Sequence, residues 1–119
     1  MSQHIKLVVM LFATTLLSVN SFSETNDKNL IKIVFTHKMK LDDLMKIKGT
    51  LLKQNIQLDF IQTRFDSSGY LTALQFKVDC NDGFHGEASN PNFIHFTKRF
   101  GFYRDYGKKA KSPFGVGFI

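Results

Sequence analysis

The sequence predicts a small α+β domain in which one helix packs on an antiparallel sheet, in the order β-α-β-β with a further strand following. Three observations predict it. A β-branched and aromatic run at residues 30–36 precedes a segment with helical spacing at residues 40–54. Two alternating runs, 56–65 and 70–80, then flank the turn cluster Asp66-Ser67-Ser68-Gly69. Two turn-linked strands after a helix exclude a repeating parallel βαβ pattern and favour one helix laid on one face of a sheet.

Ahead of that unit, residues 1–23 read as a secretory signal peptide. His4 and Lys6 sit in a short leading region, and the apolar run Leu7–Val19 carries no charge. Ser21-Phe22-Ser23 closes it as a small-x-small cleavage site before the polar stretch Glu24-Thr25-Asn26-Asp27. The apolar run is shorter than the roughly 17–25 residues that a spanning helix needs. The mature chain, residues 24–119, is expected to be exported, periplasmic or secreted. Its contact with the membrane is transient, through the signal peptide, unless the signal stays uncleaved.

Residues 24–97 form the predicted domain. In the first strand, Ile31, Ile33 and Phe35 share one face while Lys32 and Thr36 share the other. In the helix, Leu41, Leu44, Met45, Ile47, Leu51 and Leu52 make an apolar stripe. Asp42 and Asp43 favour its start and Lys53 its end, through the helix dipole. Asn55 stands where a left-handed cap is common. Gly49 costs the helix about 1 kcal/mol against Ala, and close packing on the sheet is the expected reason for it.

The hairpin follows. Ile56, Leu58 and Phe60 point inward on its first strand, and Leu74, Phe76 and Val78 on its second, with Cys80 continuing that inward phase. Asn81-Asp82-Gly83 is a turn, and residues 84–91 look irregular. Residues 92–97 predict one more strand with Ile94 and Phe96 inward, and from Lys98 the pattern degrades into a tail of interleaved glycines and aromatics. Thirteen Phe imply a core filled by aromatics. With Cys80 as its single cysteine, the chain has no intramolecular disulfide and relies on that core.

Charge is uneven along the chain. Nine basic residues balance nine acidic ones between Glu24 and Thr97. Between Lys98 and Lys111 stand Lys98, Arg99, Arg104, Lys108, Lys109 and Lys111 against Asp105 alone. Such a local positive field favours an anionic partner. Outside the cytoplasm that means an anionic envelope surface or an acidic protein patch, and nucleic acid is disfavoured. The expected contact region is Lys98, Arg99, Phe100, Phe102, Tyr103, Arg104, Lys108, Lys109 and Lys111. The competing reading of the segment is an edge strand followed by a solvated tail.

Catalytic patterns are weak. The histidines lack the close Cys/His spacing of a zinc site, and His85, Glu87 and His95 are the nearest approach to a ligand set. Asp79 and Asp82 lack EF-hand spacing. Cys80 with His85 has the residue types of a nucleophile and its base, but the inward phase of Cys80 argues for burial over reactivity. Asp42 and Asp43 are adjacent and do not share a helix face. There is no phosphate-binding glycine loop and no nucleophile elbow. No catalytic, cofactor or metal residue is assigned.

The helix and hairpin words resemble a known module. Leu41-Asp42-Asp43-Leu44-Met45-Lys46-Ile47-Lys48, Leu52-Lys53-Gln54-Asn55-Ile56 and Phe65-Asp66-Ser67-Ser68-Gly69-Tyr70-Leu71 are similar to the C-terminal region of some bacterial BlaR1-like M56 peptidase-family sensors. The resemblance spans about residues 30–90. It implies an extracytoplasmic accessory or sensing module. The family's zinc-binding His-Glu-x-x-His helix is absent, so no catalytic residue carries over. The expected function is therefore a non-enzymatic binding or accessory module of the cell envelope. The alternative is a small hydrolase or metal-dependent enzyme using residues 79–95.

Overall fold

A computed structural model of the chain describes residues 29–93 and 98–119. The predicted signal peptide lies outside the described residues, as do Ile94, His95 and Phe96 of the strand expected over 92–97. The elements are β1 (Leu30–Phe35), α1 (Leu41–Lys53), β2 (Gln57–Phe65), β3 (Leu71–Asp79), β4 (His85–Asn90), β5 (Phe100–Asp105) and β6 (Phe114–Phe118). The mixed α+β class holds, but the molecule is mostly sheet. Two three-stranded antiparallel sheets, β1-β5-β6 and β2-β3-β4, replace the single expected sheet.

The first correction concerns β1. It pairs with β5, Ile33 opposite Phe102 and Phe35 opposite Phe100, and not with the hairpin. The second concerns the C-terminal region. Residues 98–119 hold β5, the middle strand of its sheet, and its neighbour β6, so the segment is not a tail. The third is β4, formed where an irregular segment was expected.

Helix α1 begins and ends where its sequence predicts. Asp43 accepts a hydrogen bond from the Lys40 N–H at 2.9 Å, satisfying a donor at the helix start. At the other end Asn55 takes φ 63°. Its N–H donates to Leu52 O, and the Ile56 N–H donates to Leu51 O. These are the two bonds of a Schellman cap. Leu44, Ile47 and Leu51 are buried, whereas Leu41, Met45 and Leu52 are exposed, so only one edge of the apolar stripe enters the core. Gly49 is also exposed, and a Cβ added there would meet open space. Close packing is not its purpose.

The hairpin forms as expected, with a turn closed by Asp66. Its Oδ1 accepts from the Ser68 and Tyr70 N–H groups, and Gly69 takes φ +88°. The ladder slips twice, at Ile61 and again opposite Thr72. The slip at Ile61 turns that residue outward, where it is exposed. The Thr72 carbonyl accepts from the Phe93 N–H at 2.9 Å. The connection between β1 and α1 holds the hairpin tip: the Leu71 N–H donates to Met39 O, and His37 Nδ1 donates to Leu71 O at 2.7 Å.

The inner faces of the two sheets meet in an aromatic core. Phe76 stands 5.0 Å from Phe35 and 5.5 Å from Phe100 between ring centroids, and Phe93 stands 5.6 Å from Phe100. The two pairs with Phe100 are edge-to-face, an arrangement that aromatic quadrupoles favour. Among the described residues no helix is long and apolar enough to cross a membrane.

Candidate functional site

Strand β5 divides the predicted contact residues by alternation. Phe100, Phe102 and Arg104 share the inner face opposite Phe35, Ile33 and Ile31. Phe100 and Phe102 are buried in the core and are not available to a partner. Tyr103 lies on the outer face, half-buried, with its hydroxyl bonded to Ser112 Oγ. Lys98 and Arg99 are exposed ahead of β5, while Lys108, Lys109 and Lys111 are exposed beyond it. A strand of this length spans roughly 20 Å, so the expected single basic region is two separate groups.

The lysine group sits on the β5–β6 connection, whose base is tied down. The Asp105 N–H donates to Pro113 O and the Tyr106 N–H to Asn29 O, both at 2.7 Å. Asp105 Oδ1 accepts from the Gly107 N–H at 2.9 Å, and the Ala110 N–H donates to Gly107 O. These bonds close the loop on itself and leave Lys108, Lys109 and Lys111 facing solvent. None of the three has an ion pair or side-chain hydrogen bond among the described residues.

Arg104 is the cation the sequence misassigned. Its Nε donates to Asp82 Oδ2 at 2.9 Å, and a terminal nitrogen lies 2.8 Å from the same oxygen. The other terminal nitrogen donates to Asp105 O at 2.7 Å and to Pro113 O at 3.2 Å. Its Cζ lies 4.4 Å from the Phe84 ring centroid and 4.3 Å from that of Tyr106, within cation–π range. A guanidinium held by so many acceptors and rings is a structural tie. It joins the β3–β4 turn to the β5–β6 loop. Asp82 and Phe84 had no signal in sequence for this role beyond their residue types, because they lie about a strand and a loop away from Arg104, Asp82 by 22 residues.

The 79–95 region does not assemble the nucleophile and base of the alternative reading. Cys80 is buried in the core, while His85 and Glu87 are exposed on β4. Burial pushes the Cys80 thiol up to about 11, with the Asp82 carboxylate adding to the shift and Arg104 opposing it. A thiol so held is protonated at neutral pH and is a poor nucleophile. His85 pairs across the ladder with Asp79, and Glu87 with Lys77, on the face turned away from the core. His95 lies outside the described residues. Among those described, no three His, Cys, Asp or Glu residues are grouped to hold a metal ion.

Compared with protein-family models, curated proteins and solved structures, the chain matches none.

Proposed function

We propose that this chain is an exported binding module of the cell envelope that contacts an anionic partner through the β5–β6 loop, without doing chemistry. The observation that carries the reading is the loop itself: Lys108, Lys109 and Lys111 are exposed, without an ion pair among the described residues, and mounted on a hydrogen-bonded base. A cationic cluster on a restrained loop loses less conformational freedom on binding than one on a free tail. Lys98 and Arg99 lie at the other end of β5 and form no part of this contact. The resemblance to sensor C-termini is consistent with an accessory role, and the signal peptide supplies the compartment.

The test is retention on heparin or on vesicles containing anionic lipid, as a function of salt. The native protein is expected to bind at low salt and elute as screening rises. Lys108→Ser, Lys109→Ser and Lys111→Ser combined should abolish retention while leaving the circular dichroism spectrum intact. Undiminished retention by that variant would overturn the loop as the contact.

A further inference from the structure

The outer face of the β2-β3-β4 sheet carries a second feature, remote in sequence from the lysine loop. Because ladder partners share a face, register places its residues. Gln62 is opposite Gln75 and Gln75 opposite Ser89, so three neutral polar side chains form a row across all three strands. In the next row Arg64 is opposite Ala73. These residues, together with Leu74, Asn90 and Pro91, line a concavity of about 220 Å³. Ala73 is small enough to leave the hollow between its larger neighbours, and Pro91 adds apolar surface at its edge, whereas Leu74 is 1% exposed and faces the core.

The side chains around it are uncommitted. Gln62, Arg64, Gln75 and Ser89 make no side-chain hydrogen bond or ion pair among the described residues. That differs from Asp59, an outward charge on the same strand as Gln62 and Arg64. Asp59 on β2 accepts from Lys48 at 3.1 Å and from Gln57 at 3.2 Å. The cleft thus gathers the amides of Gln62 and Gln75, the Ser89 hydroxyl and one guanidinium, none of them with a side-chain partner among the described residues.

We infer that this cleft binds a small polyhydroxylated carboxylate, of the class of a uronic acid. The chemistry follows from the donor and acceptor inventory. Each glutamine amide both donates and accepts, as a sugar hydroxyl does, and the Ser89 hydroxyl does the same. Arg64 presents a planar fork that matches one carboxylate. Ala73 and Pro91 offer apolar surface to the C–H face of a ring. The volume is below the roughly 300–1,000 Å³ of ordinary small-molecule sites, which limits the occupant to a single ring. One cation matches one negative charge, and the remaining partners are neutral.

The experiment is a titration of the ¹⁵N-labelled mature protein with glucuronate, glucose and acetate at constant ionic strength, followed by amide chemical shifts. Glucuronate is expected to perturb residues 62–64, 73–75 and 89–91 and to bind more tightly than either glucose or acetate. Arg64→Gln should weaken glucuronate about tenfold, the loss expected for a charge-assisted bond, and leave glucose unchanged. The variant lacking the three loop lysines should bind glucuronate as the native protein does, which separates this site from the proposed anionic contact. An oligomer of the same uronic acid binding as tightly as the monomer, through one terminal ring, would support the site with a polysaccharide as source, and exclusion of the oligomer would support it with the free sugar acid. No perturbation at these residues, equal responses to glucuronate and acetate, or loss of binding with the lysines and not with Arg64, would overturn the inference.

Discussion

At the scale of single residues, the two most informative side chains are Cys80 and Arg104, and both act through burial. The Cys80 thiol is raised from an ordinary 9.0 to about 11 by desolvation. A group whose folded pKa is raised contributes stability below its unfolded pKa and loses it as pH climbs through the folded value. Stability should therefore fall between about pH 9 and 11. Tyr106, raised chiefly by desolvation as well, adds to the fall in the same direction. Urea midpoints should show it, and the stability gap between native protein and Cys80→Ala should narrow across that window. A gap that widened would refute the assignment. In the native state Cys80 should also resist a thiol reagent that modifies it fully in denaturant. Arg104 is expected to tolerate no exchange. Lysine keeps the charge but loses the flat fork and its several donors, so Arg104→Lys should cost about 2–3 kcal/mol. Asp82→Asn should lower stability as well, by leaving a guanidinium only 10% exposed without its carboxylate.

At the scale of elements, two glycines have opposite consequences. Gly49 stands on an exposed helical position with nothing within 4 Å of an added Cβ. Gly49→Ala should raise stability by about 1 kcal/mol, read as a higher urea midpoint. A Cβ on Gly101 would stand 1.9 Å from the Ile33 carbonyl oxygen, which is backbone and cannot swing aside. Gly101→Ala should push β1 off β5 and lower the melting temperature sharply. Helix periodicity, the Asn55 cap and the Asp66 turn were all legible in sequence because each rests on neighbours a few residues apart. The exposure of Leu41, Met45 and Leu52 was not, because an apolar stripe does not reveal which of its edges meets the sheet. The slip at Ile61 was invisible for the same reason: a bulge is a property of two strands together.

At the scale of the whole molecule, the pairing of β1 with β5 changes what a truncation would report. Removing residues 98–119 would delete β5 and β6, expose Ile33 and Phe35, and take Phe100 and Phe102 from the core. Such a chain should lose its near-ultraviolet dichroism and cooperative melting, so its failure to bind would say nothing about contact. Substituting the loop lysines leaves the sheets intact and is the informative experiment. A truncated chain that still melted cooperatively would mean that the second sheet and α1 fold without the first.

What the sequence by itself determined are the features set by local pattern: the helix and both its ends, the hairpin and its turn, the inward phase that buries Cys80, and the aromatic character of the core. What only the tertiary structure decided are the features set by pairing over long separations. They are the division into two sheets, the partner of β1, the burial of Phe100 and Phe102, and the tie between Arg104 and Asp82. The same holds for the Gln62-Gln75-Ser89 row. The physical reason is that side-chain spacing reports which face a residue takes within its own element. Which strand lies alongside, and in what register, is settled by how the large rings of distant segments pack.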